Sequence, residues 1–188
     1  INSATDVTFS LAVTAETITQ VTGTGTTTFS GAVNANPLAP GLALDLTGAA
    51  FTINSTVTTT NGGQVEITNA GLLTIAAAGD MTLDGSFTQN GVGLVSTAGD
   101  ITTTNDNVSF ATAVTLTGNV SINTGSGAGN ISFTSTVDGG QTLTLTAGTG
   151  DVSMNSAVGG GTALTSFTIV SATQVDLDNV QAGIIAVT

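Results

Sequence analysis

The sequence predicts an all-β chain coiled into a parallel β-solenoid of about eight rungs of 20–30 residues, and three observations carry that reading. A seven-residue phrase of alternating apolar residues recurs from end to end, no apolar stripe at helical spacing interrupts it, and glycine-rich pieces separate many of its copies. The phrase is plainest at Val152-Ser153-Met154-Asn155-Ser156-Ala157-Val158: apolar, hydroxyl, apolar, three small or polar residues, then Val. Copies open at residues 7, 27, 51, 81, 108, 131, 152 and, shortened, 175, with intervals of 20, 24, 30, 27, 23, 21 and 23 residues. Such self-similarity marks a repeat architecture.

Apolar residues at positions one and three with a hydroxyl between them have period two, so each phrase begins as a strand with one buried face. The three small or polar residues suit a corner, and the following Val turns inward on a new side. Helix-free units of this length can align like strands in parallel only by coiling, each rung stacked on the last. Position three is then expected to stack Phe9, Phe29, Ile53, Leu83, Phe110, Phe133, Met154 and Leu177 in one file. Position seven is expected to stack Val13, Val33, Val57, Phe87, Val114, Val137, Val158 and Val180. Position two, facing out, aligns Thr8, Thr28, Thr52, Thr82, Ser109, Ser132, Ser153 and Asp176. At ~4.8 Å per rung, eight rungs make a rod roughly 40 Å long.

Taken in order, residues 1–50 supply two rungs and the stretch Asn36-Pro37-Leu38-Ala39-Pro40-Gly41, a corner loop because proline cannot donate to a ladder. Leu42, Leu44 and Leu46 then alternate as a strand. Asn61-Gly62-Gly63 and Asn90-Gly91-Val92-Gly93 read as turns, with strands at Val65 and Ile67 and at Leu73 and Ile75. Beyond residue 108, Val120 and Ile122, Leu143 and Leu145, and Phe167 and Ile169 supply further strands. The glycine-rich pieces 125–129, 139–140 and 159–161 fall at corners. Residues 1–188 form a single domain without a linker, and the phrase reaches both ends without an evident cap. The chain is therefore expected to be a segment of a longer chain or a stacking subunit.

Charge restricts the partners. The chain has twelve acids and no Lys, Arg or His, for a net charge of −12, and only 6% of its residues are charged against about a quarter in ordinary chains. Nothing is available to neutralise phosphates, which argues against nucleic acid and anionic lipid as partners. No apolar run is long enough for a membrane span. Without His, Cys, Lys, Arg or Tyr, the usual bases, nucleophiles and oxyanion donors are missing, so an enzyme is not expected and no cofactor is called for.

Carboxylates and amides remain. Asp6, Asp80, Asn107, Asn130 and Asp151 each precede a phrase. They could ligate cations, or they could satisfy backbone groups where a strand starts, with Asn laddering from rung to rung. Within this column the acids avoid adjacent rungs, as like charges would. Asp176 and Asp178 are spaced to share one outer face of the last rung and are a candidate Ca²⁺ site, with Asn179 as a further donor, although one strand supplies few oxygens. The competing reading is charge that discourages pairing at a terminal strand. Asp106, between Asn105 and Asn107, is a lesser cation candidate. Asn54, Asn107, Asn119 and Asn130 stand in glycosylation sequons, whose number largely follows from the repeat's own hydroxyl slots. The Thr-x-Thr pairs at 102–104, 115–117 and 142–146 fall in no common column, so a regular ice-binding face is not expected.

The phrases at 131–140 (Ile131-Ser132-Phe133-Thr134-Ser135-Thr136-Val137-Asp138-Gly139-Gly140) and at 152–164 resemble large bacterial exoproteins of the filamentous-haemagglutinin and autotransporter-adhesin type. That resemblance implies a right-handed β-helix, export, a bacterial or archaeal cell surface and a structural or adhesive task. It supplies no functional residues, and no secretion domain is recognisable in the chain. The expected function is a non-catalytic rod: a filament, sheath or adhesin stalk built with flanking repeats or copies of itself. The alternative is a binding module for surface carbohydrate or ice, which the absence of Trp and Tyr disfavours for carbohydrate.

Overall fold

The computed structural model describes residues 1–188 and contains no helix. Three parallel sheets stack as a β-solenoid of about eight turns, so the repeat reading of the sequence holds. Sheet A contains seven strands, from Val7–Phe9 to Val137–Asp138, and sheet B contains nine, from Val13–Ala15 to Ala182–Val187. Sheet C contains eight, from Ile18–Gln20 to Val175–Leu177. The chain visits A, B and C in turn, and every pairing is with the coil before or after. Short strands of alternating burial produce this shape: Val, Ile, Leu and Phe point inward, while Thr and Ser, which suit exposed strand positions, point out.

Tracing sheet A shows how the phrase relates to the coil. Val7 pairs with Thr27, Thr27 with Phe51, Phe51 with Leu73, Leu73 with Val95, Val95 with Val114, and Val114 with Val137. Isolated bridges extend the file to Val158 and Val180. Circuits are therefore 19–24 residues long, and the longer intervals between phrases are not longer rungs. The interval from Phe51 to Met81 is one circuit, to Leu73, plus one side. The interval from Met81 to Val108 is likewise one circuit, to Ile101, plus one side.

The single files expected from the phrase are corrected accordingly. Phe9, Phe29 and Ile53 stack in sheet A and continue to Ile75, Leu83 lies in sheet B, and Phe110, Phe133, Met154 and Leu177 stack in sheet C. The position-seven file divides too: Val13, Val33 and Val57 belong to sheet B, Phe87 to sheet C, and Val114, Val137, Val158 and Val180 to sheet A. The reason is geometric. Strand, corner, strand describes all three corners of the coil, and the same seven residues serve any of them.

Thirty-five buried apolar residues form one continuous core. Phe9 lies flat on Phe29 with centroids 4.9 Å apart, and Phe110 sits between Phe87 and Phe133 at 5.2 and 5.0 Å. In the strand Gly41–Gly48 the expected alternation fails locally. A bulge between Leu42 and Leu44 turns Ala43 and Leu44 inward together and leaves Leu42 exposed. In the terminal coils the inward residues are less covered: Phe9 and Val13 are half-buried, and Ile185 and Val187 are about half exposed.

Candidate functional site

No convergent cleft dominates this rod, so the candidate sites are its faces and corners. Where strands start, Asp and Asn side chains join successive coils. Asn107 Oδ1 accepts the backbone N–H of Asn130 at 2.8 Å, Asn130 Oδ1 accepts that of Asp151 at 2.8 Å, and Asp151 Oδ1 accepts that of Gln174 at 3.1 Å. Asp6 does the same for Thr26 at 2.8 Å. On the corner between sheets A and B, Asp80 Oδ1 accepts from the N–H of Asp100 at 2.9 Å, and Asp100 Oδ1 from that of Ser121 at 2.7 Å. These hydrogen bonds supply the backbone-satisfying role weighed for the column.

Beyond the five residues of that column, acids do occupy adjacent coils. Asp80 and Asp100 are one coil apart, and Asp45 pairs in register with Glu66 on the outside of sheet C. The column drawn from the phrase omitted Asp100 because no phrase starts at Ile101. In the first pair, the strand-start hydrogen bond outweighs repulsion between exposed carboxylates, which water and salt screen. In the second, Glu66 Oε1 accepts a hydrogen bond from Asn90 Nδ2 at 2.9 Å. Asp106 is raised above the ordinary carboxylate range, first by burial and then by the charge of Asp84.

Asp176 stands on the outer face of the last sheet C strand, paired in register with Ser153. Asp178 lies past the strand's end, at a bend where its N–H donates to the carbonyl of Met154. Both are exposed, and no third acidic group joins them to form a cluster. Asn54, Asn107, Asn119 and Asn130 are all exposed at corners.

The hydroxyl files are more regular than the Thr-x-Thr pairs suggest. Of those pairs, 115–117 begins on sheet A, while 102–104 begins on sheet B and 142–146 lies in it, where Thr102 and Thr146 share a file through Asn123. On sheet A, Thr8, Thr28, Thr52, Thr74, Ser96 and Thr115 form one unbroken outward file. On sheet B, Thr14, Asn34, Thr58, Thr82, Thr102 and Asn123 form a second. No strand of sheet B carries an acid, and sheet A carries none before Asp138. Beside sheet A, along the corner arriving from sheet C, two adjoining grooves of about 490 and 420 Å³ share Ala70 and Val92 as lining.

The phrase gave no warning of the buried amides. Gln89 and Asn69 are fully buried, and Gln89 Nε2 donates to Asn69 Oδ1 at 2.7 Å. Asn69 Nδ2 donates to the carbonyl of Gly71 at 2.7 Å, and Gln89 Oε1 accepts from the N–H of Ala111 at 3.1 Å. Gln20 accepts from the Thr27 hydroxyl at 2.7 Å. No buried side-chain polar atom is left without a partner, so these amides fasten the corner. The available signal was an amide in a slot that alternation reserves for an apolar residue, with glycine two or three positions later, as at Gln20, Asn69 and Gln89.

Comparison with known proteins finds no family model, no curated protein and no solved structure that matches the chain.

Proposed function

We propose that this chain is a non-catalytic structural rod of the extracellular surface, the stem of a filament, sheath or adhesin of the filamentous-haemagglutinin kind. One observation carries the reading: each coil pairs in parallel with the coil below it, in continuous register apart from bulges at Leu42–Leu44 and Leu145–Thr146. The surface of an outermost coil is therefore the kind of surface that every interior coil covers with another coil. Open parallel edges recruit strands, so Ile185, Val187 and Phe9 are suited to cover from further coils, whether of the same polypeptide or of other copies. Hydroxyl-covered faces without cations fit an exported surface role, and they fit neither nucleic acid nor anionic membrane. The host on this reading is bacterial or archaeal. Negative-stain electron microscopy of the purified chain tests it. Rods several times longer than one copy are expected, and single particles of roughly 40 Å at every concentration would overturn assembly by stacking.

The unbroken hydroxyl file on sheet A favours a second reading, a binding face for ice or for a neutral surface glycan. Slowed ice recrystallisation, or retention on a glycan array, would support it.

A further inference from the structure

We propose that the side formed by sheet A and the corner leading into it is where two copies of this chain pack against each other laterally. This rests on the structural-rod reading and names the partner of its side rather than of its ends. Four observations converge there. The first is charge. In a molecule of net charge −12, the sheet A file from Thr8 to Thr115 and corner residues 21–25, 47–50, 70–72, 92–94 and 111–113 carry no acid; Asp6 on the first coil's corner and Asp138, next in the file after Thr115, bound this stretch at its two ends. Two copies meeting over this stretch keep their carboxylates outside the contact.

The second is apolar exposure. Val21, Leu72, Val92 and Leu94 are 59%, 48%, 82% and 58% exposed along this one corner. Leu72 and Leu94 immediately precede the register partners Leu73 and Val95, so they lie on neighbouring coils. Leu72, Val92 and Leu94 thus form one apolar cluster on neighbouring coils, with Val21 two coils away, and such clusters mark contact surfaces.

The third is shape. Val92 lines both grooves, and the rest of their lining is mostly small: glycine, alanine and threonine with Asn69 in one, and Ala70, Gly71 and Gly93 beside Leu72 and Leu94 in the other. A ridge beside a hollow on the same side is self-complementary, as a two-fold contact requires, with each copy's ridge entering the other's hollow.

The fourth is period. The hydroxyl file repeats at the ~4.8 Å rung spacing. A partner with a different repeat falls out of step within a few rungs, whereas a second copy stays in step along the whole side.

Sedimentation velocity over a concentration series, on the wild-type chain and on a Val92→Glu/Leu94→Glu variant, decides the matter, with circular dichroism confirming the β signature. Thr74→Asp, on the adjoining hydroxyl file, is a second variant should the first not fold. The expected result is reversible dimerisation of the wild type, weakened about tenfold or more by either variant because a charge would be buried unpaired. Wild-type chains that remain monomeric up to about 100 μM would overturn the proposal, that being far above the dissociation constant of a standard interface. Association that both variants leave unchanged would also overturn it, while leaving end-to-end stacking intact. Long unbundled rods from the variants, with bundled rods from the wild type, would support both readings. Variant-sensitive dimers that never elongate would support the side contact and sink the stacking reading. Wild-type monomers that bind ice or a neutral glycan through Thr74 would give this side to that ligand instead.

Discussion

Asn107 and Asn130, twenty-three residues apart, are joined where their strands start: the side-chain oxygen of the first accepts the backbone N–H of the second at 2.8 Å. The same link passes from Asn130 to Asp151 and from Asp151 to Gln174, so one corner of the rod is laced from coil to coil. Asn130→Ala removes an acceptor and frees the N–H of Asp151. A loss of about 1 kcal/mol in urea unfolding is expected, the usual worth of one such hydrogen bond. Asn130→Asp keeps the acceptor and sets a carboxylate beside Asp151, so its loss should shrink as salt is added.

Asp106 gives a prediction about pH. Burial and the charge of Asp84 raise its folded-state pKa above that of the unfolded chain. The folded state thus holds the proton more tightly. The associated stability is present below the unfolded value and is lost as pH rises through the folded value. Asp106→Asn should therefore raise the melting temperature at pH about 7 and leave it nearly unchanged at pH about 3, where the carboxyl is protonated in both states. Thermal scans of both proteins across that range provide the check.

The aromatic column predicts a gradient along the rod. Phe110 is fully buried between Phe87 and Phe133, whereas Phe9 stacks on Phe29 from one side in the first coil. Phe110→Ala is expected to cost about 3–5 kcal/mol, as large-to-small core changes do, and Phe9→Ala distinctly less. Equal losses in chemical denaturation would contradict the stacking order.

Corner glycines differ in what they tolerate. A methyl group added at Gly93 would overlap the carbonyl oxygen of Gly71 in the coil below, while one added at Gly160 meets only the Ala157 side chain, at 3.2 Å. Gly93→Ala should cost more than about 1 kcal/mol and Gly160→Ala stay within about 0.5 kcal/mol, measured by urea unfolding.

Assembly should respond to charge. With no Lys, Arg or His in the chain, the acid-bearing sides of neighbouring rods repel until their carboxylates are protonated or bridged. Lowering pH towards about 4, or adding Ca²⁺, is expected to increase light scattering through bundling. Scattering indifferent to both treatments would count against it.

The sequence disclosed the coil through its alternation, and it disclosed the corners through residues such as Asn61, whose φ of 54° suits a turn. It misled on which residues share a side. Val33 and Val114 occupy the same slot of the phrase, yet they lie in different sheets, because local alternation records that a corner follows and not which corner it is. The hydroxyl file on sheet A was hidden for the same reason: Thr74 and Ser96 belong to it and to no copy of the phrase. Gln89 and Asn69 were hidden because polarity alone gives an amide the appearance of a surface residue, and only the closed corner supplies its buried partners.

That the phrase changes corners twice has a consequence for anyone shortening this rod. Excising 51–72 removes a whole circuit, and every later residue descends one level onto the side it already occupies. Excising 51–80, the span between two successive phrases, would swing all that follows by a third of a revolution. Asp84 and Phe87 would then face neighbours chosen for other places. Length can be trimmed here only in closed loops.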